Sequence, residues 1–203
     1  MRIKYREMIF WIPDGVYPPA EDSFLLAEAI KDARGDKAVD VGTGCGIQAI
    51  ILSKNCKRVV ATDIDSKCKA AVIINSILNN VSPPEFRLGD LYEPLEPDEK
   101  FDIIVFNPPY LKEEYKVSIP ESRWWSGGKN GRTIVRRFIK GLRNFLSPDG
   151  EAYLVINDNP PLEGTLKMIR EERLNWKVIN EVKVAFDKIY VLRLSLDYTQ
   201  CFP

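Results

Sequence analysis

The sequence predicts an α/β fold: a doubly wound, mostly parallel sheet of seven strands, closed at its C-terminal end by an antiparallel hairpin. Three observations carry that expectation. Short apolar runs alternate with longer segments of helical period through the middle of the chain, the pattern of parallel strands joined by crossover helices. Phe101 to Phe106 is apolar enough to be a central strand. The last stretch holds two β-rich runs with no helix between them. A length of 203 residues suits one domain spanning 1–203, large enough to bury a sizeable core.

Taken in order, Pro18-Pro19-Ala20-Glu21-Asp22 opens a first helix, with Leu26, Ala29 and Ile30 inward; proline and acids in a first turn are ordinary helix-start chemistry. Ala38 to Gly42 reads as a buried strand and Ile47 to Lys54 as the helix behind it. Arg58 to Asp63 is the next strand. It is followed by a helix from Ser66 to about Asn79, on which Ala70, Ile73, Ile74, Ile77 and Leu78 form one apolar face. Phe86 to Gly89 is a short third strand and Phe101 to Phe106 the fourth. Ile134, Phe138, Leu142 and Phe145 mark another amphipathic helix, which Ser147-Pro148-Asp149-Gly150 ends in a turn. Glu151 to Ile156 gives a fifth strand and Leu162 to Leu174 a further helix. Trp176 to Phe186 and Ile189 to Leu196, either side of Asp187-Lys188, complete the count as a hairpin with one reversed strand.

Composition narrows the chemistry. Lys and Arg number 29, as do Asp and Glu. A chain that lives on phosphate contacts usually carries a basic excess, so nucleic acid is left open as a partner but not favoured. The absence of histidine removes the usual neutral-pH base and excludes Ser-His and Cys-His nucleophilic designs. Cys45, Cys56, Cys68 and Cys201 have no metal-ligand spacing; they read as reduced thiols, mostly in the core, and no metal site is expected. No apolar run approaches the roughly 20 residues that span a bilayer. A cytoplasmic protein is the expectation.

Asp40-Val41-Gly42-Thr43-Gly44-Cys45-Gly46 lies between the first predicted strand and its helix, where glycines permit tight turning and close approach of a ligand. Glycine spacing alone would be weak evidence, since any strand-to-helix turn can use it. Asp63 ends the next strand, 21 residues after Gly42, where a carboxylate can hold ribose hydroxyls. Asp40 puts negative charge where a dinucleotide needs its pyrophosphate. It suits instead a nucleoside with a cationic amino-acid end, which is S-adenosylmethionine. Asp90, after the third strand, can accept from an adenine amino group with Leu91 packed nearby, although alone it would serve equally as a turn residue.

Asn107-Pro108-Pro109-Tyr110 follows the fourth strand. Two prolines fix the backbone and remove two donors, leaving carbonyl oxygens free to accept. The Asn107 side-chain oxygen and the Pro108 carbonyl can accept from one NH₂ group, and Tyr110 can stack on a planar amide or aryl amine. Such a nitrogen is a poor nucleophile, and positioning it matters more than deprotonating it. A rigid turn with no chemistry is the plainer alternative.

These residues resemble class I methyltransferases of the HemK/PrmC type, closest to the short archaeal and eukaryotic branch. The resemblance runs from Val16 almost to the C-terminus. The glycine and Asn-Pro-Pro-Tyr motifs are shared with DNA adenine and rRNA guanine enzymes. Narrower are Val16-Tyr17-Pro18-Pro19-Ala20-Glu21-Asp22-Ser23-Phe24-Leu25-Leu26 and Trp125-Ser126-Gly127-Gly128-Lys129-Asn130-Gly131-Arg132. Pro19 and the paired Trp124-Trp125 depart from the usual pattern. The resemblance implies a Rossmann-like enzyme that uses S-adenosylmethionine to methylate the glutamine amide of the Gly-Gly-Gln loop in a translation release factor. It places Ser23, Asp40, Gly42, Gly44, Asp63, Asp90 and Leu91 on the cofactor and Asn107 on both cofactor and substrate. It further implies that a small zinc-binding activator adds its sheet to the third-strand edge. The 1–34 segment is expected to cover the cofactor site, and the long loop 111–130, with Tyr115, Trp124 and Trp125, to receive the substrate as a lid, although its tryptophans could equally pack the loop onto the core.

Two other functions stay in play. One is methylation of an exocyclic amine in RNA or DNA, adenine N6 or guanine N2. Its best argument is the run Arg132, Arg136, Arg137, Lys140 and Arg143 without an acid between them, although a solvated helix face explains the run more simply. The other is an idle module that keeps the cofactor fold. The intact aspartates and Asn107 weigh against it.

Overall fold

The computed structural model describes residues 1–109, 132–185 and 187–197. Its main feature is a seven-stranded sheet built from β3 (Gly35–Val41), β4 (Cys56–Asp63), β5 (Glu85–Leu88), β6 (Phe101–Phe106), β7 (Leu146–Asn157), β8 (Leu174–Val184) and β9 (Asp187–Leu196). The spatial order is β5-β4-β3-β6-β7-β9-β8. Neighbours from β5 through β7 are parallel. β9 is antiparallel to both β7 and β8, so it is the one reversed strand. The predicted seven-stranded, doubly wound α/β sheet with a terminal hairpin is what the chain forms. Two apolar layers cover it. Ala38, Ala61, Ile103 and Val105 face α1 (Glu21–Ile30), α2 (Ile47–Leu52) and α3 (Lys67–Leu78), while Val39, Val60, Ile104 and Phe106 face α4 (Thr133–Phe145) and α5 (Leu162–Glu171). Alternate residues of one strand thus feed opposite cores.

Strand order reverses on either side of β3, with β4 next to one edge and β6 next to the other. Register aligns Val41 with both Thr62 and Phe106, and Asp63 with Leu88, so four carboxyl ends finish together. In open α/β sheets that crevice is where ligands bind.

Four expectations are corrected. The apolar face predicted for α3 is turned outward: Ile73, Ile74, Ile77 and Leu78 are exposed, whereas Cys68, Ala71, Val72, Asn75 and Ser76 are buried. The buried set has the same i, i+3, i+4, i+7, i+8 spacing, shifted by about half a turn, so periodicity fits both faces. Small residues let α3 approach closely, and Asn75 satisfies the backbone of Trp11 and Cys45. Second, Ser147–Gly150 belong to β7 rather than to a turn before it; the strand accommodates them at a register shift, with Phe101 opposite Leu146 and Ile103 opposite Glu151. Third, the hairpin turns before Asp187, which already pairs with Val184, and Ala185 takes the left-handed conformation, φ 54°. Fourth, the first residues form an unpredicted hairpin, β1 (Arg2–Tyr5) and β2 (Met8–Trp11). Its free edge is met by the side-chain amides of Asn75 and Asn79, which exchange hydrogen bonds with Trp11 and Ile9 as a neighbouring strand would.

The basic run on α4 is not a stripe. Arg132 is buried and donates to the side chain of Asn157 and the carbonyl of Pro160. Arg137 pairs with Asp90, and Arg143 donates to the Arg173 carbonyl. Arg136, Arg137 and Lys140 are the exposed cations of that run. Burial brings the Arg132 guanidinium down to about 10. Among the described residues, no helix is long and apolar enough to cross a membrane.

Candidate active site

A cavity of about 470 Å³ opens at the strand ends, within the size range of small-molecule sites. The glycine turn forms its floor. Gly46 caps α2 at φ 86°, and a Cβ there would press on Val72 at 3.1 Å, so a side chain would be both strained and crowded. Gly44, at φ 55°, donates its N–H to Asp63 Oδ2 at 2.9 Å, and nothing lies within 4 Å of where its Cβ would be. Asp40, 3% exposed, holds the turn from beneath: its Oδ2 accepts from Thr43 Oγ1 at 2.6 Å and from the Ala49 amide at 3.0 Å. Burial pushes its carboxyl up to about 7, against the two hydrogen bonds that favour the charged form, and Asp63 adds to the rise.

Asp63, ending β4, also accepts from the Asp65 amide through Oδ1. A carboxylate offers about four acceptor positions, so donors from the cavity can still be received. Leu91 lines the wall in a left-handed conformation, φ 50°, and is 8% exposed; such strain, of order 1–3 kcal/mol, persists where the surroundings demand it and collects at functional sites. Asp90 faces the same cavity, and its Oδ2 accepts from Arg137 Nη1 at 2.9 Å.

Asn107, Pro108 and Pro109 line the opposite wall. Asn107 Nδ2 donates to Ser23 Oγ at 3.2 Å. Its Oδ1 is buried and accepts no hydrogen bond among the described residues. A buried polar atom without a partner costs about 1–3 kcal/mol, a cost that a donor arriving from the cavity would remove. Tyr110 and the 111–130 loop lie outside the described residues, as do Trp124, Trp125 and Cys201.

All the sequence-predicted site residues within the described chain meet at this cavity: Ser23, Asp40, Gly42, Gly44, Asp63, Asp90, Leu91, Asn107, Pro108 and Pro109. Sequence reasoning missed Gln48, which donates to the Ser23 carbonyl at 2.9 Å, as well as Thr43 and the lining residues Tyr17, Lys67 and Ile134. Thr43 could have been found, being inside the glycine motif. The others come from separate elements and have no local signal. The space, the unstrained opening at Gly44, the open positions on Asp63 and the orphaned Asn107 oxygen fit a nucleoside carrying a cationic amino-acid end.

The family model of the methyltransferase small domain matches residues 14–184. A protein of Methanocaldococcus jannaschii, provisionally named protein N5-glutamine methyltransferase, is 32% identical over 180 residues, covering 87% of this chain and 90% of its own length. The human protein named methyltransferase HEMK2 is 34% identical over 195 residues and 89% of each chain. In fold, the Encephalitozoon cuniculi Mtq2–Trm112 complex, described as methylating the eRF1 termination factor, gives a TM-score of 0.71 at 21% identity, over 90% of this chain and 99% of that one. A Thermus thermophilus 16S rRNA N2 G1207 methyltransferase in complex with AdoMet and guanosine gives 0.71 at 20% identity, over 97% of this chain and 50% of that one. Such a family and fold imply a methyl donor of the S-adenosylmethionine type. With a family model covering most of its length and relatives above 30% identity over nearly all of it, the chain belongs to the methyltransferase small domain family.

Proposed function

We propose that this methyltransferase transfers a methyl group from S-adenosylmethionine to the side-chain amide of a glutamine in a translation release factor. The observation that carries the reading is the buried, unpartnered Asn107 Oδ1 beside Pro108 at the cavity wall. In the proposed reaction Asn107 Oδ1 and the Pro108 carbonyl accept from the two N–H bonds of the glutamine amide and hold its nitrogen toward the donor. The bound cofactor supplies an electrophilic methyl on sulfur. Ser23, Asp40, Gly42, Gly44, Asp63, Asp90 and Leu91 bind and orient it. Pro109 stiffens the wall, and Tyr110 stacks on the amide. Relatives named for N5-glutamine and release-factor glutamine methylation support this substrate over others. The chain acts as one domain in which 1–34 covers the cofactor and 111–130 receives the substrate.

The same reading includes a small zinc-binding activator docked on the edge strand β5. The related E. cuniculi structure is a two-protein complex. Here β5 ends the sheet, its Leu88 is 57% exposed, and the helix that leads into it turns Ile73, Ile74, Ile77 and Leu78 to solvent. Exposed apolar residues beside the unpaired edge of a strand suit sheet addition.

Labelled donor incubated with release factor or with nucleic acid tests the substrate. Label is expected in the release-factor glutamine; label in nucleic acid alone would replace this reading with the exocyclic-amine one. Asn107→Ala is expected to abolish transfer while cofactor affinity, read by calorimetry, stays largely intact. Near-normal turnover in that variant would remove Asn107 from the mechanism.

A further inference from the structure

Ser23 Oγ stands between two partners, 3.1 Å from Asp22 Oδ1 and 3.2 Å from Asn107 Nδ2. Asp22, 4% exposed, gathers donors: the Tyr17 hydroxyl at 3.2 and 3.3 Å, the Ser23 amide at 2.6 Å and the Ser23 hydroxyl. An ionised carboxylate only accepts, and a hydroxyl has one proton to give. If that proton goes to Asp22, Ser23 Oγ can only accept on its other side, and its neighbour there must be an NH₂ group. The chain therefore has a direction, and Asn107 stands at its end. The two ends of a side-chain amide are nearly equal in shape, so packing alone fixes the direction weakly. Turned over, Asn107 would present NH₂ to a substrate NH₂, two donors face to face with nothing to accept.

We propose that Asp22 is a positioning residue for the methyl transfer: through Ser23 it orients the Asn107 amide so that its oxygen, rather than its nitrogen, faces the acceptor nitrogen. The proposal rests on the amide-methylation reading and adds to it a residue that need not touch the substrate. Gln48, holding the Ser23 carbonyl at 2.9 Å, keeps the middle link in place.

Reversing the chain tests it. In Asp22→Asn the neutral amide keeps its oxygen on the Ser23 N–H, which shares Oδ1 with the hydroxyl, so its hold on the hydroxyl weakens; the serine proton turns toward Asn107, and the Asn107 NH₂ swings into the cavity. Turnover is expected to fall by about 100-fold, the scale of a misplaced reacting group, with cofactor affinity changed little. Adding Asn107→Asp to Asp22→Asn returns an acceptor to the end of the reversed chain and is expected to recover roughly tenfold, one factor of 1.4 kcal/mol. A structural role for Asp22 predicts no such recovery. Turnover of Asp22→Asn equal to wild type, or a double variant no faster than Asp22→Asn, overturns the proposal.

A second readout needs no protein substrate: the ¹⁵N-edited resonance of Asn107 Nδ2 with S-adenosylhomocysteine bound. It is expected to shift between wild type and Asp22→Asn; an unchanged resonance overturns the proposal. Ser23→Ala, which breaks the link without touching the carboxylate, carries the same test should Asp22→Asn unfold. If wild type methylates no release factor, the substrate reading fails separately and the resonance alone decides.

Discussion

Asp40 holds the glycine turn together and faces the cavity that would take a cationic ligand, and burial sets these roles against each other. Its carboxyl, raised from 3.8 to about 7, takes up a proton on folding between those values, so stability falls as pH rises through that window. The full cost, on the order of 4 kcal/mol, is present above pH 7. A cationic amino-acid end beside Asp40 favours the charged form and offsets that cost. Affinity for a cationic donor analogue is therefore expected to rise from about pH 6 to about pH 8, and Asp40→Asn is expected to flatten both this rise and the decline of melting temperature. Calorimetry and thermal melts across that range check it; an unchanged slope in the variant would refute the assignment. At this scale the site was legible wherever a role is local. Gly42, Gly44, Asp63 and Asn107 sit at strand ends that the sequence announces. Tyr17, Gln48 and Ile134 do not, because only folding brings them to the cavity.

Elements were located well and oriented less well. The α3 helix shows why: its stronger hydrophobic stripe faces solvent and its stripe of small and polar residues faces the protein. Close approach, at Val72 against Gly46, outweighs the burial of isoleucine. Ile77 is 67% exposed, so Ile77→Ser is expected to change stability by no more than about 0.5 kcal/mol while weakening capture of a co-expressed activator. A large loss of stability in the isolated chain would mean the face is internal after all. On α4 the constraint is the opposite. Tyr92 lies stacked between Phe138 and Phe145, and a Cβ on Gly141 would come within 2.5 Å of its ring. Gly→Ala in a helix ordinarily gains about 1 kcal/mol. Overpacking of about 1–3 kcal/mol reverses the sign here, and the urea midpoint of Gly141→Ala is expected to drop.

Across the whole molecule, charge is placed to brace the sheet edge away from the site. Glu99 receives Arg87 and Lys37, and Arg87 also meets Glu85. Burial alone would raise the Glu99 carboxyl, but Arg87, Lys37 and the Glu96 amide outweigh it and hold it down at about 2. Its folded value lies below the ordinary 4.5, so its contribution is complete above about pH 4.5 and is lost as pH falls toward 2. Acid titration of unfolding free energy in wild type and Glu99→Gln is expected to show two curves that converge between those values; parallel curves would contradict it.

The sequence by itself determined the sheet, the crossover helices and the motifs that end the strands, because strand alternation, glycine turns and paired prolines are read within a few residues of one another. Tertiary structure alone decided which face of α3 is buried, that the first eleven residues close a hairpin against Asn75 and Asn79, and that Asp22, Ser23 and Asn107, the last two 84 residues apart, share one hydrogen-bonded line. Those outcomes depend on which surfaces meet and on which atoms are left to donate or accept once they have met, and neither quantity exists before the chain has folded.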